Sequence, residues 1–192
     1  CTAIASDREG QWMVRFHHGQ RSFWKTLLKV GRTPLPPYIR VNGDETREHR
    51  DRLRYQTVYA KNFGAAAAPT AGLHFTRRLL HSISQRGVHV CFLTLNVGAG
   101  TFLPVRGEEI DGHRMYSEFF LIPADTAEAI NAARLEGRRI VAVGTTTVRA
   151  LEHAAQSGEV LSAGMARTDL FIRPGYRFRI VDAMVTNFHL PR

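Results

Sequence analysis

Apolar residues recur along this chain in two rhythms, short β-type runs and stretches of helical period, and the two alternate. Thr2–Ser6 and Trp12–Phe16 are β-type runs separated by a polar turn holding Gly10, which predicts a hairpin over 2–17. Two strands alone are marginally stable, so the hairpin reads as part of a larger sheet. Ser22 is placed to cap a short helix through Leu28, stopped by Gly31. The proline-rich Thr33–Tyr38 suits neither a regular helix nor a central strand and marks a boundary.

Beyond it the pattern changes. A charged helix is expected over 44–54, with Asp44 as its cap. An amphipathic helix is expected over 75–86, with Phe75, Leu79, Leu80 and Ile83 on one face and Gly87 at its end. Two more helices are read at 124–136, stopped by Gly137, and at 146–156. The near-continuous apolar run 88–95 reads as a buried strand. Further strands are expected at 119–122, 139–143 and 168–172, with another apolar run at 180–185. Strands alternating with helices of this length predict an α/β fold of βαβ units with a mainly parallel sheet, open or closed into a barrel.

With 192 residues, 44% of them hydrophobic and 22% charged, the chain can bury a core without staples, and disorder is not expected. Charge adds a hint about partners. Lys and Arg number 26 against 17 Asp and Glu, for a net charge of +9. Such a balance suits a polyanion, nucleic acid above all, although the arginines are spread rather than concentrated in one tract. The two cysteines, Cys1 and Cys91, form no CxxC or Cys/His spacing, so neither a zinc site nor a disulfide framework is expected, and a reducing compartment is. No apolar stretch reaches the ~20 residues of a membrane span, and no signal peptide is read. The chain opens on a strand without Met and stops at Pro191-Arg192, so both ends read as cut.

Ligands of α/β sheets bind at the carboxyl ends of strands. The residues that follow the expected strands are rich in Gly, Thr, Asn and His. After Leu95 comes Asn96-Val-Gly98-Ala-Gly100-Thr101, a loop whose glycines allow close backbone approach to a ligand, or an ordinary tight turn. After Val143 comes Gly144-Thr145-Thr146-Thr-Val-Arg149, opening a helix. It is either an anion site for a phosphate or carboxylate, or plain capping by Thr145 or Thr146. Val148, Leu151 and Ala155 face the core, whereas Arg149 and Glu152 share another face as a ligand site or as a pair with each other. Thr70, Gly72 and His74 precede a helix, Asn187 and His189 follow an apolar run, and His113 and Glu118 lead into a strand. Histidines in such loops are candidates for acid–base work.

At these segments the sequence resembles the S-adenosylmethionine:tRNA ribosyltransferase-isomerase family of queuosine biosynthesis. The segments are PLPPYI (34–39), RYQTVYA (54–60), AAPTAGLHF (67–75), TLNVGAGTF (94–102), HRMYSE (113–118), VGTTTVRALE (143–152), FIRPGYRF (171–178) and VDAMVTNFHLP (181–191). The resemblance implies a cytoplasmic enzyme. It would transfer the ribosyl group of S-adenosylmethionine to the 7-aminomethyl-7-deazaguanine at the tRNA wobble position and isomerise it to epoxyqueuosine, releasing adenine and methionine. Precursor-bearing tRNA and S-adenosylmethionine are the implied partners, and no metal is needed because the sulfonium supplies the electrophile. The implied fold is a large α/β catalytic domain, here 32–192, with residues 1–31 as the last strands of a separate small β-barrel domain. Upstream family sequence and the segment that follows FHLP are absent.

The implied acid–base groups are His74, His113 and His189, with Glu118 as an orienting partner. The loops at 98–101 and 144–146 are assigned to the methionine carboxylate and the ribose hydroxyls, Asn187 to an adenine edge, and the arginines of 47–54 to tRNA phosphates. Thr70, Gly72, Asn96 and Arg149 complete the expected substrate-binding set. The family pattern has His where this chain has Asn96 and Tyr116, and neither replacement titrates near neutral pH. Two alternatives therefore stand beside the enzyme reading: a tRNA-binding homologue with a decayed site, and an enzyme that uses S-adenosylmethionine on a different acceptor.

Overall fold

The computed structural model describes residues 1–6, 12–17, 19–36, 39, 45–98, 115–158 and 160–187. These fall into two compact units, Cys1–Thr33 and Pro34–Arg192.

In the first unit, β1 (Thr2–Ser6) and β2 (Trp12–Arg15) pair antiparallel, with an irregularity between Ala3 and Ala5. The helix α1 (Gln20–Val30) starts one turn earlier than Ser22 predicts, because the backbone of Gly19 already serves as its N-cap. Every described residue of the two strands is exposed, Trp12 and Met13 at 65% each. A two-stranded ribbon has no second layer against which to bury either face. Phe23 of α1 packs its ring against Phe16, just past β2, and against its helix neighbour Trp24.

The second unit mixes helices with two small sheets. In chain order it runs through α2 (Glu45–Arg54), a 3₁₀ turn (Thr70–His74), α3 (Arg77–Gln85), β3 (Thr94–Asn96), β4 (Glu118–Ile122) and α4 (Ala124–Leu135). There follow β5 (Val141–Val143), α5 (Thr145–Ala154), a 3₁₀ turn at Ala155–Ser157, β6 (Gly164–Thr168) and β7 (Ala183–Val185). Strand β4 is central to a sheet ordered β3-β4-β6, and both of its pairings are antiparallel. Its side chains alternate buried and half-buried, as a strand between two neighbours requires. Strands β5 and β7 pair parallel, Val143 opposite Val185. An α/β chain is therefore what is observed, but among the described residues the expected mainly parallel order is met by β5 and β7 alone.

The core gathers Phe120 and Ile122 of β4, Ala127 and Ile130 of α4, Ala142 of β5, Val148 and Leu151 of α5, and Ile180 and Val181. Three strand expectations are corrected in extent. Only Thr94–Asn96 of the apolar run 88–95 joins a ladder. Pro123 ends β4 and begins α4, so residues 88–93 have no partner on β4, and the carbonyl of Phe92 instead accepts the Thr126 hydroxyl at 2.8 Å. The strand expected at 168–172 lies at 164–168. Beyond Thr168 the carbonyl of Leu170 is taken by the Arg149 guanidinium and its N–H by the Thr168 hydroxyl. The strand expected from 139 begins at 141, because the N–H of Ile140 bonds the Asp182 carboxylate and its carbonyl accepts from Asp182 and Ala183. Helix α3 is capped by the Thr76 side chain on the N–H of Leu79, so it begins at Arg77, two residues after the expected start at Phe75.

Candidate functional site

The parallel pair brings two strand ends together. The N–H of Gly144 donates to the carbonyl of Val185 at 2.8 Å, so the start of α5 lies beside the chain leaving β7. Two residues past β7, the side-chain Oδ1 of Asn187 meets Nε2 of His74 at 2.8 Å across 113 positions of sequence. One neighbourhood at the carboxyl ends of β5 and β7 therefore collects His74, Asn187 and the Gly144–Thr146 turn. It is where the strand-end rule looks for a ligand.

The 3₁₀ turn that carries His74 is wedged from behind. Ala71 and Gly72 are buried, and a Cβ at Gly72 would collide with the Tyr59 hydroxyl and approach Cγ2 of the buried Thr57 at 2.9 Å. Glycine at 72 is thus a packing requirement that lets the Thr57–Tyr59 segment support the turn. Burial pushes the Tyr59 phenol above its ordinary value of 10.0. Tyr59 also packs on Phe92, ring centroids 5.3 Å apart. These two line a cleft of about 960 Å³ together with Lys61, Asn62, Arg77 and Thr94. Asn62 donates to the Thr94 hydroxyl at 2.8 Å along its wall.

The start of α5 has no side-chain cap. The Thr147 hydroxyl turns back to the carbonyl of Val143, and the N–H of Val148 is the first to close on Gly144. Capping by Thr145 or Thr146, the plain alternative, is not what forms. The first-turn N–H groups at Thr145 and Thr146 precede the helical ladder, which is the arrangement of an anion-binding helix start.

Arg149 and Glu152, which the sequence allowed as a pair, go separate ways. Arg149 donates to Glu118 at 2.9 Å, with side-chain exposures of 10% and 6%. It also donates to the carbonyls of Leu170, Tyr116 and Thr168. The guanidinium thus ties α5 to the start of β4 and the end of β6, and its fork is spent on protein groups. Glu152 is wholly buried. It accepts the backbone N–H groups of Arg179, Ile180 and Val181 at 2.9–3.0 Å and the Tyr176 hydroxyl at 3.2 Å. The signal for this was present in the sequence. Glu152 stands four residues after Val148, on the same buried face as Leu151 and Ala155.

Asn96 ends β3 with its amide against Gly64, while Gly98 is exposed just beyond. Thr70 opens the 3₁₀ turn. Gly100, Thr101, His113 and His189 lie outside the described residues. The sequence reading missed Tyr59, Thr57 and Asn62. Thr57 and Tyr59 sit in the segment 54–60, quoted for resemblance but given no role, and Asn62 lies just beyond it; all three act through partners distant in sequence, Gly72 for the first two and Thr94 for Asn62.

Comparison with known proteins gives this arrangement its context. A family model described as "Queuosine biosynthesis protein" matches residues 1–192. The chain is 60% identical over 166 residues to the S-adenosylmethionine:tRNA ribosyltransferase-isomerase of Ralstonia nicotianae, covering 86% of this chain and 46% of that protein. It is 52% identical over 192 residues to the protein of that name from Citrifermentans bemidjiense, covering 100% of this chain and 54% of the relative. The crystal structure of S-adenosylmethionine tRNA ribosyltransferase from Thermotoga maritima is similar at a TM-score of 0.50 and 43% identity, over 64% of this chain and 37% of that one. The chain spans about half the length of these curated relatives. Matched by the family model from its first residue to its last, the chain belongs to the family of queuosine biosynthesis proteins.

Proposed function

We propose that the protein of which this chain forms the site transfers and isomerises the ribosyl group of S-adenosylmethionine onto the aminomethyl group of a 7-deazaguanine in tRNA. The observation that carries the reading is the His74–Asn187 hydrogen bond at the strand ends beside the uncapped start of α5. The relatives' names supply the reaction class.

The sulfonium of S-adenosylmethionine acidifies the hydrogens at C5′, and a base that removes one starts the expulsion of adenine. His74 takes this role. With Nε2–H donating to Asn187 Oδ1, its Nδ1 carries the lone pair that accepts the proton. Asn187 orients the imidazole and offers its NH₂ to an adenine edge. A positioned base of this kind is worth about 10²–10⁴ in rate. The backbone N–H groups at Thr145 and Thr146 hold the methionine carboxylate, as an anion at a helix start. Thr70 and the loop at 98–101 take the ribose hydroxyls, with Asn96 at its base. His113 and His189 are kept as further acid–base candidates. Glu118 and Arg149 act as a positioning pair that fixes the start of α5 rather than as direct substrate ligands. Gly72 acts by admitting Tyr59 behind the 3₁₀ turn.

The domain reading accompanies this proposal: an α/β catalytic domain at 32–192, barrel-like in its sheet, and strands of a separate β-barrel domain at 1–31. The arginines of α2 meet tRNA phosphates.

The test is adenine release from S-adenosylmethionine by the full-length protein with precursor-bearing tRNA, and without it. Release that depends on the tRNA is expected. Binding of tRNA with no release would favour the decayed-site alternative, and release with a small-molecule amine but no tRNA binding would favour the different acceptor.

A further inference from the structure

The segment Phe171–Arg179 carries three arginines and three aromatic residues in nine positions and no acidic residue. It belongs to none of the site elements above, yet the fold commits a buried carboxylate to its shape. Glu152 gathers the N–H groups of Arg179, Ile180 and Val181 and the Tyr176 hydroxyl. Removing a carboxylate from water is unfavourable unless its lone pairs are filled, so four donors converging on it make this an anchor rather than a chance contact. The Arg179 guanidinium adds bonds to the carbonyls of Ala155 and Gln156 at 3.3 and 3.5 Å. The tip is a tight turn. The N–H of Tyr176 bonds the carbonyl of Arg173 at 3.0 Å around Pro174 and Gly175, whose φ of +90° only glycine adopts without strain.

A loop held from behind in this way presents a defined outer face. Phe178 is 52% exposed with its ring edge-on to Tyr176, centroids 5.1 Å apart. Arg177 beside it is exposed, and Arg173 lies over the Phe171 ring at 5.0 Å. A solvent-facing aromatic ring next to guanidinium groups is the pattern that binds unpaired nucleotides, with bases stacking on the ring and phosphates bonding to Arg. An acidic peptide would use the arginines but not the ring.

We propose that the loop 171–179, braced by Glu152, is a contact for single-stranded RNA, taking an unpaired base of the tRNA on Phe178 and a phosphate on Arg177. This rests on the tRNA reading above and adds to it the surface that recognises the unpaired region.

The test measures binding of the acceptor tRNA to the full-length protein across a salt series, for wild type, Phe178→Ala, Phe178→Tyr and Arg177→Ala. Arg177 is exposed and Phe178 half-exposed against Tyr176, so binding is measured well below the melting temperature of each variant. Phe178→Ala should weaken binding about 5- to 100-fold with an unchanged salt slope, and Phe178→Tyr should restore it. Arg177→Ala should lower the slope of log K against log salt by about 0.7–0.9, the counterion release of one phosphate. Wild-type affinity and slope in all three variants, with the wild type binding tRNA, would overturn the loop assignment and leave the site reading standing. Displacement of the tRNA by polyglutamate at equal charge would mark a general anion surface and overturn the stacking claim. Failure of the wild type to bind tRNA at about 150 mM salt would instead remove the tRNA reading itself.

Discussion

Gly72 and Tyr59 show how closely one residue's chemistry depends on its neighbour. A methyl group at 72 has no room beside the Tyr59 hydroxyl, so Gly72→Ala should destabilise the protein by about 1–3 kcal/mol through overpacking and displace His74 with the turn. Tyr59→Phe in the same chain should recover part of that loss. Denaturant melts of the two single variants and the double variant check the coupling, and strict additivity would contradict it. The Tyr59 phenol is also raised by burial, which fixes a sign for pH. The folded state holds this proton more tightly than the unfolded state. Its stabilising contribution is therefore complete below about pH 10 and is lost as pH rises through the higher folded value. Tyr176, raised by burial and then by the nearby Glu152 carboxylate, acts in the same direction. Thermal melts between about pH 8 and 11 should steepen at the alkaline end for wild type and flatten for Tyr59→Phe. At this scale the sequence was legible where structure is local, as in the Gly144–Thr146 turn that follows β5 and opens α5. It was silent on Asn187 as the partner of His74, because 113 positions separate them.

Helix α5 is the element on which the site depends. Its start opens toward the site, its Arg149 joins β4 to β6, and its Glu152 holds the chain leading to β7. Removing one member of a buried ion pair strands the other, so Glu118→Ala or Arg149→Ala should cost about 3–5 kcal/mol, measured by urea unfolding. A loss below about 1 kcal/mol would mean that the pair is solvated and the account of α5 is wrong. The period of Val148, Leu151 and Ala155 made this helix readable from sequence, but the expectation that Arg149 and Glu152 lie on another face is corrected, since both are buried. What misled was charge: Arg149 and Glu152 three residues apart suggest a surface pair, whereas each has a buried partner elsewhere. The strand runs were legible in kind but not in length. Pairing stops where a partner strand stops, and neither Pro123 at the end of β4 nor the Arg149 hold on Leu170 has a signature in the runs themselves.

For the molecule as a whole, charge and family point the same way. The net charge of +9 and the arginines of α2, with Arg50 and Arg54 exposed, suit the phosphates of a tRNA. Replacing both by Ala should lower the salt slope of tRNA binding by about 1.4–1.8, whereas an unchanged slope would take α2 out of the interface. Among the described residues, no helix is long and apolar enough to cross a membrane. The fold class was legible from alternating strand and helix periods, but the sheet order was not, since period distinguishes strands from helices and says nothing of which strands pair. The central claim is that His74, oriented by Asn187, is the base that begins adenine expulsion. It is tested most directly by single-turnover adenine release from S-adenosylmethionine in the full-length protein with precursor-bearing tRNA, comparing wild type with His74→Ala at matched melting temperature. The account predicts release by wild type and a fall of about 10²–10⁴ in rate in the variant. Release by His74→Ala at a near wild-type rate would contradict it.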